Sequence, residues 1–254
     1  MSDLLVVSGL SVSYGGVRAV EGLDLTVREG GVVGLIGPNG AGKTSAIDAL
    51  TGYHPPSAGT VMLDGRDITR VKPARRPQLG LARTFQSVEL FDDLTVEENL
   101  MVAAEDVTFG TVLRDLFLPR RAPRRDAVDW ALEVCGLSAD ARRRPTELSH
   151  GHRKLVGVAR ALAQRPRLVL LDEPAAGLDT DETQELGRRL RALPGDGVSV
   201  LLVDHDMGLV LAVCDDLYVL DFGRLIAHGT PAEIRADENV IAAYLGSEEV
   251  AVHA

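Results

Sequence analysis

The chain has 254 residues, with 27 Lys+Arg against 37 Asp+Glu and a formal net charge of −10. Hydrophobic residues make up 45% and charged residues 25%, an ordinary globular composition with enough chain for one large domain or two small ones. The acidity argues against nucleic acid as the main partner and against direct binding to an anionic bilayer. No apolar run nears the ~18 residues of a membrane span, and the opening MSDLLVVSG carries no signal-peptide pattern.

Two side-chain counts add to this. Only Lys43, Lys72 and Lys154 are lysines; every other basic residue is Arg. Cys135 and Cys214 lie far apart without CxxC spacing. They read as reduced, buried small residues of a cytosolic protein.

The first third reads as strands. Residues 4–14 and 20–27 alternate apolar and polar, and GVVGLI at 31–36 is an apolar run. A glycine-rich turn follows, then a helical stretch from about Gly42 to Leu50. TVMLDG at 60–65 is another strand ending in a turn. From about Ser87 to Arg165 the pattern is mostly helical. Thr95 and Glu98 fit a capping box, and Ser149 can cap a helix with Leu155, Val158, Ala159 and Leu162 on one face. Arg114, Arg120, Arg121, Arg124 and Arg125, and then Arg142–Arg144, read as solvated or partner-facing loops rather than a nucleic-acid arm. Apolar strands resume at 167–174, 199–205 and 216–221. Apolar strands alternating with helices imply a mostly parallel sheet covered on both faces, with ligands beyond the strands' carboxyl ends.

At the end of the GVVGLI strand stands Gly37-Pro38-Asn39-Gly40-Ala41-Gly42-Lys43-Thr44, followed by Ser45. It matches G-x-x-x-x-G-K-[ST] in the strand–loop–helix context that the motif needs. Glycines let backbone N–H groups approach phosphate, and the helix N-terminus adds partial positive charge. Lys43 can reach the β- and γ-phosphates, and the Thr44 hydroxyl can ligate Mg²⁺. A guanine-specific Asn/Thr-Lys-x-Asp pattern is absent from the sequence, which favours ATP. The 167–174 strand ends in Asp172-Glu173. Asp172 suits the second-sphere Mg²⁺ position at the strand end, and Glu173 suits a general base that polarises the attacking water.

Around these motifs the chain resembles the ATP-binding subunits of ABC transporters. Leu148-Ser149-His150-Gly151-His152 resembles their LSGGQ signature, and Gln86 in RTFQ resembles the Q-loop glutamine. Ala176-Gly177-Leu178-Asp179 resembles the D-loop, His205 the switch histidine, and Tyr14 the aromatic that stacks on adenine. The resemblance implies an α/β P-loop NTPase fold: a RecA-like, mostly parallel core sheet, an antiparallel β subdomain and a helical insertion. The core would span 1–86 and 166–234, the helical signature part 87–165, and a C-terminal helix and tail 235–254. It implies ATP and Mg²⁺ as cofactors, with Thr44, Gln86 and Asp172 near the metal and Glu173, Gln86 and His205 in catalysis. Tyr14 could equally be a strand aromatic in the core. The acids flanking His205 (Asp204 and Asp206) are weak grounds for a separate metal site.

In this family the signature contacts ATP on the other subunit, so the resemblance implies a sandwich dimer with a second copy or a sister ATPase. Two permease subunits and, indirectly, a solute-binding protein complete the expected assembly, peripheral at the cytoplasmic face of the bacterial inner membrane. The stretches 47–69, 82–104 and 223–246 look like the LivG-type ATPases of branched-chain amino-acid importers. Urea or short-amide importers, the lipopolysaccharide-export ATPase, and soluble ABC ATPases of the iron–sulfur assembly type are the neighbouring readings. Ser87–Leu100 would form part of the groove for the permease's coupling helix. Phe91 and Leu94 are candidates for its floor or, equally, for internal packing.

The signature departs from the usual pattern at His150 and His152 while keeping Ser149 and Gly151.

Overall fold

A computed structural model describes residues 2–84, 89–105 and 125–244. Gln86 and most of the first arginine-rich stretch lie outside the described residues.

Strand alternation decides which side of the central sheet each apolar residue covers. Strands β3 (Val32–Ile36), β7 (Leu168–Asp172), β8 (Ser199–Val203) and β9 (Asp216–Asp221) are apolar at almost every position. Val33, Leu35, Leu168, Leu170, Leu201, Val203, Tyr218 and Leu220 point into one core. Val32, Ile36, Val169, Leu171, Val200, Leu202, Leu217 and Val219 point into a second core on the opposite face. With β6 (Leu81–Arg83) and β10 (Arg224–Gly229), these strands form a six-stranded sheet in the order β10-β9-β3-β8-β7-β6. Its pairs are parallel except β10 with β9.

The first core is closed by a four-stranded antiparallel sheet, β2-β1-β4-β5, and by α1 (Lys43–Thr51). In chain order its strands are β1 (Asp3–Tyr14), β2 (Val17–Arg28), β4 (Ala58–Leu63) and β5 (Arg66–Asp67). Gly15 and Gly16 both take positive φ at the β1–β2 hairpin, the geometry a two-residue turn requires. The second core packs beneath α2 (Val96–Ala104), α3 (Arg125–Val134) and α4 (His150–Leu162), with α5 (Thr180–Ala192) and α6 (Met207–Val213) beside them. Helix α7 (Pro231–Ala236) and a helical segment at 238–244 follow. Among the described residues no helix is long and apolar enough to cross a membrane.

The capping box at Thr95 forms as the spacing predicts: its hydroxyl accepts the Glu98 N–H at 3.2 Å, and Glu98 accepts the Thr95 N–H at 2.7 Å. Ser149 caps α4 by accepting the His152 N–H. The buried face of α4 differs from the expected one. Val156 and Ala161 are buried with Val158, Ala159 and Leu162, whereas Leu155 is only partly buried. Cys135 and Cys214 are buried free thiols, each pushed up to about 12 by desolvation.

Among the described residues Arg76 is the largest buried charged side chain, at 2% exposure. Its guanidinium donates to the carbonyls of Val71 at 3.0 Å and Ile68 at 2.8 Å, and to that of Leu50. It thereby joins the C-terminal end of α1, where carbonyls lack helical partners, to the chain following β5. Burial pulls its pKa down to about 10, so it remains a cation at neutral pH.

Candidate active site

Strand order brings the site together. The neighbours β3, β8 and β7 end, respectively, at Ile36, Val203 and Asp172. Gly37, the acidic pair and His205 therefore leave adjacent carboxyl ends of one sheet, where α/β proteins bind ligands.

The loop after β3 is shaped by two glycines. Gly37 has φ of 151°, and a Cβ there would lie 2.1 Å from the Leu220 carbonyl oxygen. Gly42 has φ of 101°, and its Cβ would lie 2.3 Å from the Ala19 carbonyl oxygen. Any L side chain at either position would push the loop off its supports. Gly42 is the N-cap of α1, with no side-chain cap and no acid in the first turn. The helix start thus offers its N–H groups to an anion. Lys43 is buried, and its ammonium donates to Gly37 O at 2.7 Å and Pro38 O at 3.0 Å. Burial lowers its pKa, while the charges of Glu173 and Asp172 act in the opposite direction. Asn39 and Gly40 in the loop, and Thr44 in the first turn of α1, are exposed.

Asp172 is buried at the end of β7. Burial raises its pKa, and the neighbouring Arg83 partly offsets the rise. One oxygen, Oδ2, accepts from Arg83 at 3.1 Å; the other, Oδ1, is buried without a hydrogen-bond partner. An unsatisfied buried carboxylate oxygen at this strand end, with Thr44 in the first turn of α1, suits a hard divalent cation such as Mg²⁺.

Glu173 takes the left-handed conformation, φ 48°, which is costly for a residue with a Cβ. Its N–H donates to Val203 O at 2.7 Å, which fixes that turn to the neighbouring strand. Its carboxylate lies 3.8 Å from His205 Nδ1. His205 is itself well exposed, with Asp204 at 3.7 Å. Asp204 is fully buried and accepts the N–H groups of Ala175 and Asp206. Asp206 caps α6. Both acids thus serve the loop around His205.

The remaining expected residues stand elsewhere. Tyr14 is 43% exposed, so it is not a core aromatic; its ring lies 4.3 Å from that of His54. The signature packs on the D-loop of its own chain. A Cβ on Gly151 would meet Glu182 and Leu178, and one on Gly177 would meet the His150 ring at 2.9 Å. Asp179 caps α5, accepting the Glu182 N–H at 2.8 Å. Phe91 is 45% exposed, and Arg160 lies over its ring at 5.5 Å. Leu94 is half-buried.

Two contributors escaped the sequence reading. Lys154, on α4, places its ammonium 3.4 Å from the Glu173 carbonyl oxygen. Arg83 bridges Asp172 and Asp48. Nothing in the local spacing marks either residue.

The fold and the glycine loop define an α/β P-loop nucleotide-binding protein of the ATP-binding-cassette type. The "ABC transporter" family model matches residues 20–176, and the "Branched-chain amino acid ATP-binding cassette transporter" model matches residues 224–250. The high-affinity branched-chain amino acid transport ATP-binding protein BraF of Pseudomonas aeruginosa is 41% identical over 96% of this chain and 98% of its own. LivG of Escherichia coli, which carries the same description, is 39% identical with the same coverage. The lipopolysaccharide export system ATP-binding protein LptB of Escherichia coli is 37% identical, again over 96% and 98%. A solved ATP-binding cassette of an ABC transporter in its ADP conformation superposes with a TM-score of 0.85 at 29% identity, covering 97% of this chain and all of its own. The chain belongs to the ABC transporter family, as an ATP-binding subunit.

Proposed function

We propose that this chain is the ATP-hydrolysing motor subunit of a branched-chain amino-acid importer. The observation that carries the chemistry is the meeting of Lys43, Asp172, Glu173 and His205 at the carboxyl ends of neighbouring strands. Lys43 and the N–H groups at the start of α1 bind the β- and γ-phosphates. Glu173 holds the attacking water and takes up its proton, and His205 donates to the γ-phosphate. Thr44, Asp172 and Gln86 would hold Mg²⁺, which supplies charge neutralisation on the phosphate oxygens. Tyr14 offers a ring face to adenine.

Ser149 and Gly151 start a helix whose N-terminus suits a phosphate. In the chain that end packs on the D-loop. The resemblance of Leu148–His152 to the family's signature supports a head-to-tail dimer in which each signature completes the partner's site. Closure on two ATP molecules and reopening after hydrolysis is the stroke passed to two permease subunits, with the subunit peripheral at the cytoplasmic face of the membrane. The exposed Phe91 under Arg160 supports a place for it in the permease groove. The same reading divides the chain into a core at 1–86 and 166–234, a helical signature part at 87–165 and a C-terminal part at 235–254. This chain's higher identity to BraF and LivG than to LptB supports amino-acid import over lipopolysaccharide export.

The test is purification of the tagged chain from its own membranes. Two permeases should accompany it, and ATP hydrolysis by the reconstituted complex should rise with a leucine-loaded binding protein. A complex stimulated by lipopolysaccharide instead, or a chain without membrane partners, would overturn this reading.

A further inference from the structure

Arg83 lies at the end of β6, immediately before the segment that carries Gln86. Its side chain is 8% exposed and faces two carboxylates. Nη1 donates to Asp48 Oδ1 at 2.5 Å and to Thr51 Oγ1 at 3.1 Å, both on α1. Nη2 donates to Asp172 Oδ2 at 3.1 Å, on β7. The planar guanidinium thus spans the helix that begins at Lys43 and the strand that ends at Asp172, a reach that a lysine ammonium lacks. Thr84, the next residue, accepts the Asp172 N–H through its hydroxyl and donates its own N–H to Leu170 O. Asp172 is therefore held from two sides by the end of β6, and only Oδ1 is left without a partner.

Two carboxylates compete for the one guanidinium. Asp48 is 29% exposed and draws part of the cation's charge away from the fully buried Asp172. With Arg83 shared in this way, its bond to Oδ2 holds the carboxylate's orientation and leaves Oδ1 as the oxygen open to a divalent cation. Without Asp48, Arg83 would keep its bond to Thr51 but place more of its charge on Asp172 and oppose the cation. Without the guanidinium, the carboxylate would lose its orientation.

We propose that Arg83 is a positioning residue for the ATPase site, which fixes Asp172 so that Oδ1 faces the Mg²⁺ position, with Asp48 tempering its charge. The inference rests on the ATP-hydrolysing reading above. It assigns to the end of β6 a part in metal affinity that its distance in sequence from both acids conceals.

The experiment measures the affinity of a fluorescent ATP analogue in EDTA and in Mg²⁺ for the full chain, Arg83→Lys and Asp48→Asn, with melting temperatures alongside. In EDTA all three should bind within about two-fold of one another, because Lys43 and the loop amides are untouched. The gain in affinity on adding Mg²⁺ should shrink about five-fold or more in Arg83→Lys, and about two- to three-fold in Asp48→Asn, the loss expected for a disturbed outer partner of a metal ligand. Half-saturating Mg²⁺ for hydrolysis should rise in the same order. Lower melting temperatures with an unchanged Mg²⁺ gain would make Arg83 a structural clasp only and overturn the proposal. Should Arg83→Lys fail to fold, an unchanged Mg²⁺ gain in Asp48→Asn overturns it alone. A wild-type chain that binds the analogue with no Mg²⁺ gain, and does not hydrolyse ATP, sinks the ATPase reading and this inference with it.

Discussion

Glu173→Gln is expected to lower ATP turnover by about 10²–10⁴-fold, the usual contribution of a positioned general base, while nucleotide affinity stays within a few-fold. The amide keeps the shape of the carboxylate and cannot accept the water's proton. The left-handed backbone at Glu173 and its N–H bond to Val203 place the side chain independently of its charge, so the substitution should not move the loop. His205, 3.8 Å away, would remain beside it. Phosphate release at saturating ATP and equilibrium binding of an ATP analogue read the two effects separately. With hydrolysis blocked, ATP should hold the chain in a closed dimer, visible by light scattering with whichever ATPase subunit is its partner. Turnover at the wild-type rate would remove Glu173 as the base.

The second large effect is on stability. Arg76→Met should cost about 3–5 kcal/mol, the scale for leaving two or three buried carbonyls unsatisfied at ~1–3 kcal/mol each, offset in part by removing a buried charge. Methionine fills much of the same space, so packing loss is secondary. What disappears is the set of N–H donors to the carbonyls of Leu50, Ile68 and Val71. Those at the end of α1 have no helical partner to return to. In a chain of this size that loss lowers the melting temperature by roughly 6–20 °C. Calorimetry of the variant checks it, and a drop of only a degree or two would mean that water replaces the guanidinium.

Both effects bear on what a sequence discloses. The loop at 37–44 and the acidic pair at 172–173 were legible because each is a local pattern. An apolar strand delivers a fixed residue type to its carboxyl end, and the sheet order then gathers those ends. The capping box at Thr95 was legible for the same reason, since its partner Glu98 stands three residues on. Arg83 and Arg76 were not. Arg83 finds its acids 35 and 89 residues away, and Arg76 finds Leu50 26 residues back, so no window of sequence contains the interaction. Short β5 and β6 gave too few residues for an alternation to register. On α4 the apolar spacing admitted two adjacent faces, and packing on the second core selected the one with Val156. Tyr14 shows the converse: its alternation in β1 was compatible with a core position, and only the exposed hairpin end decided against it.

The count of lysines takes on a meaning of its own. Arginine serves at surface ion pairs such as Arg18–Glu21 and Arg224–Glu21. Two of the three lysines stand at the site, Lys43 in the loop and Lys154 beside the Glu173 carbonyl. A slender ammonium can lie along phosphates and rotate its donors, where a rigid fork would not fit.

The residues gathered at the ends of β3, β7 and β8 should together hydrolyse ATP. Steady-state phosphate release from ATP, measured with Mg²⁺ for the wild-type chain beside Lys43→Ala at equal concentration, decides this. Hydrolysis by the wild type should depend on Mg²⁺ and fall about 10²–10³-fold in the variant, the scale for losing one preorganised charge-stabilising group, with weaker nucleotide binding. Equal binding by both proteins and no Mg²⁺-dependent phosphate release from either would contradict it.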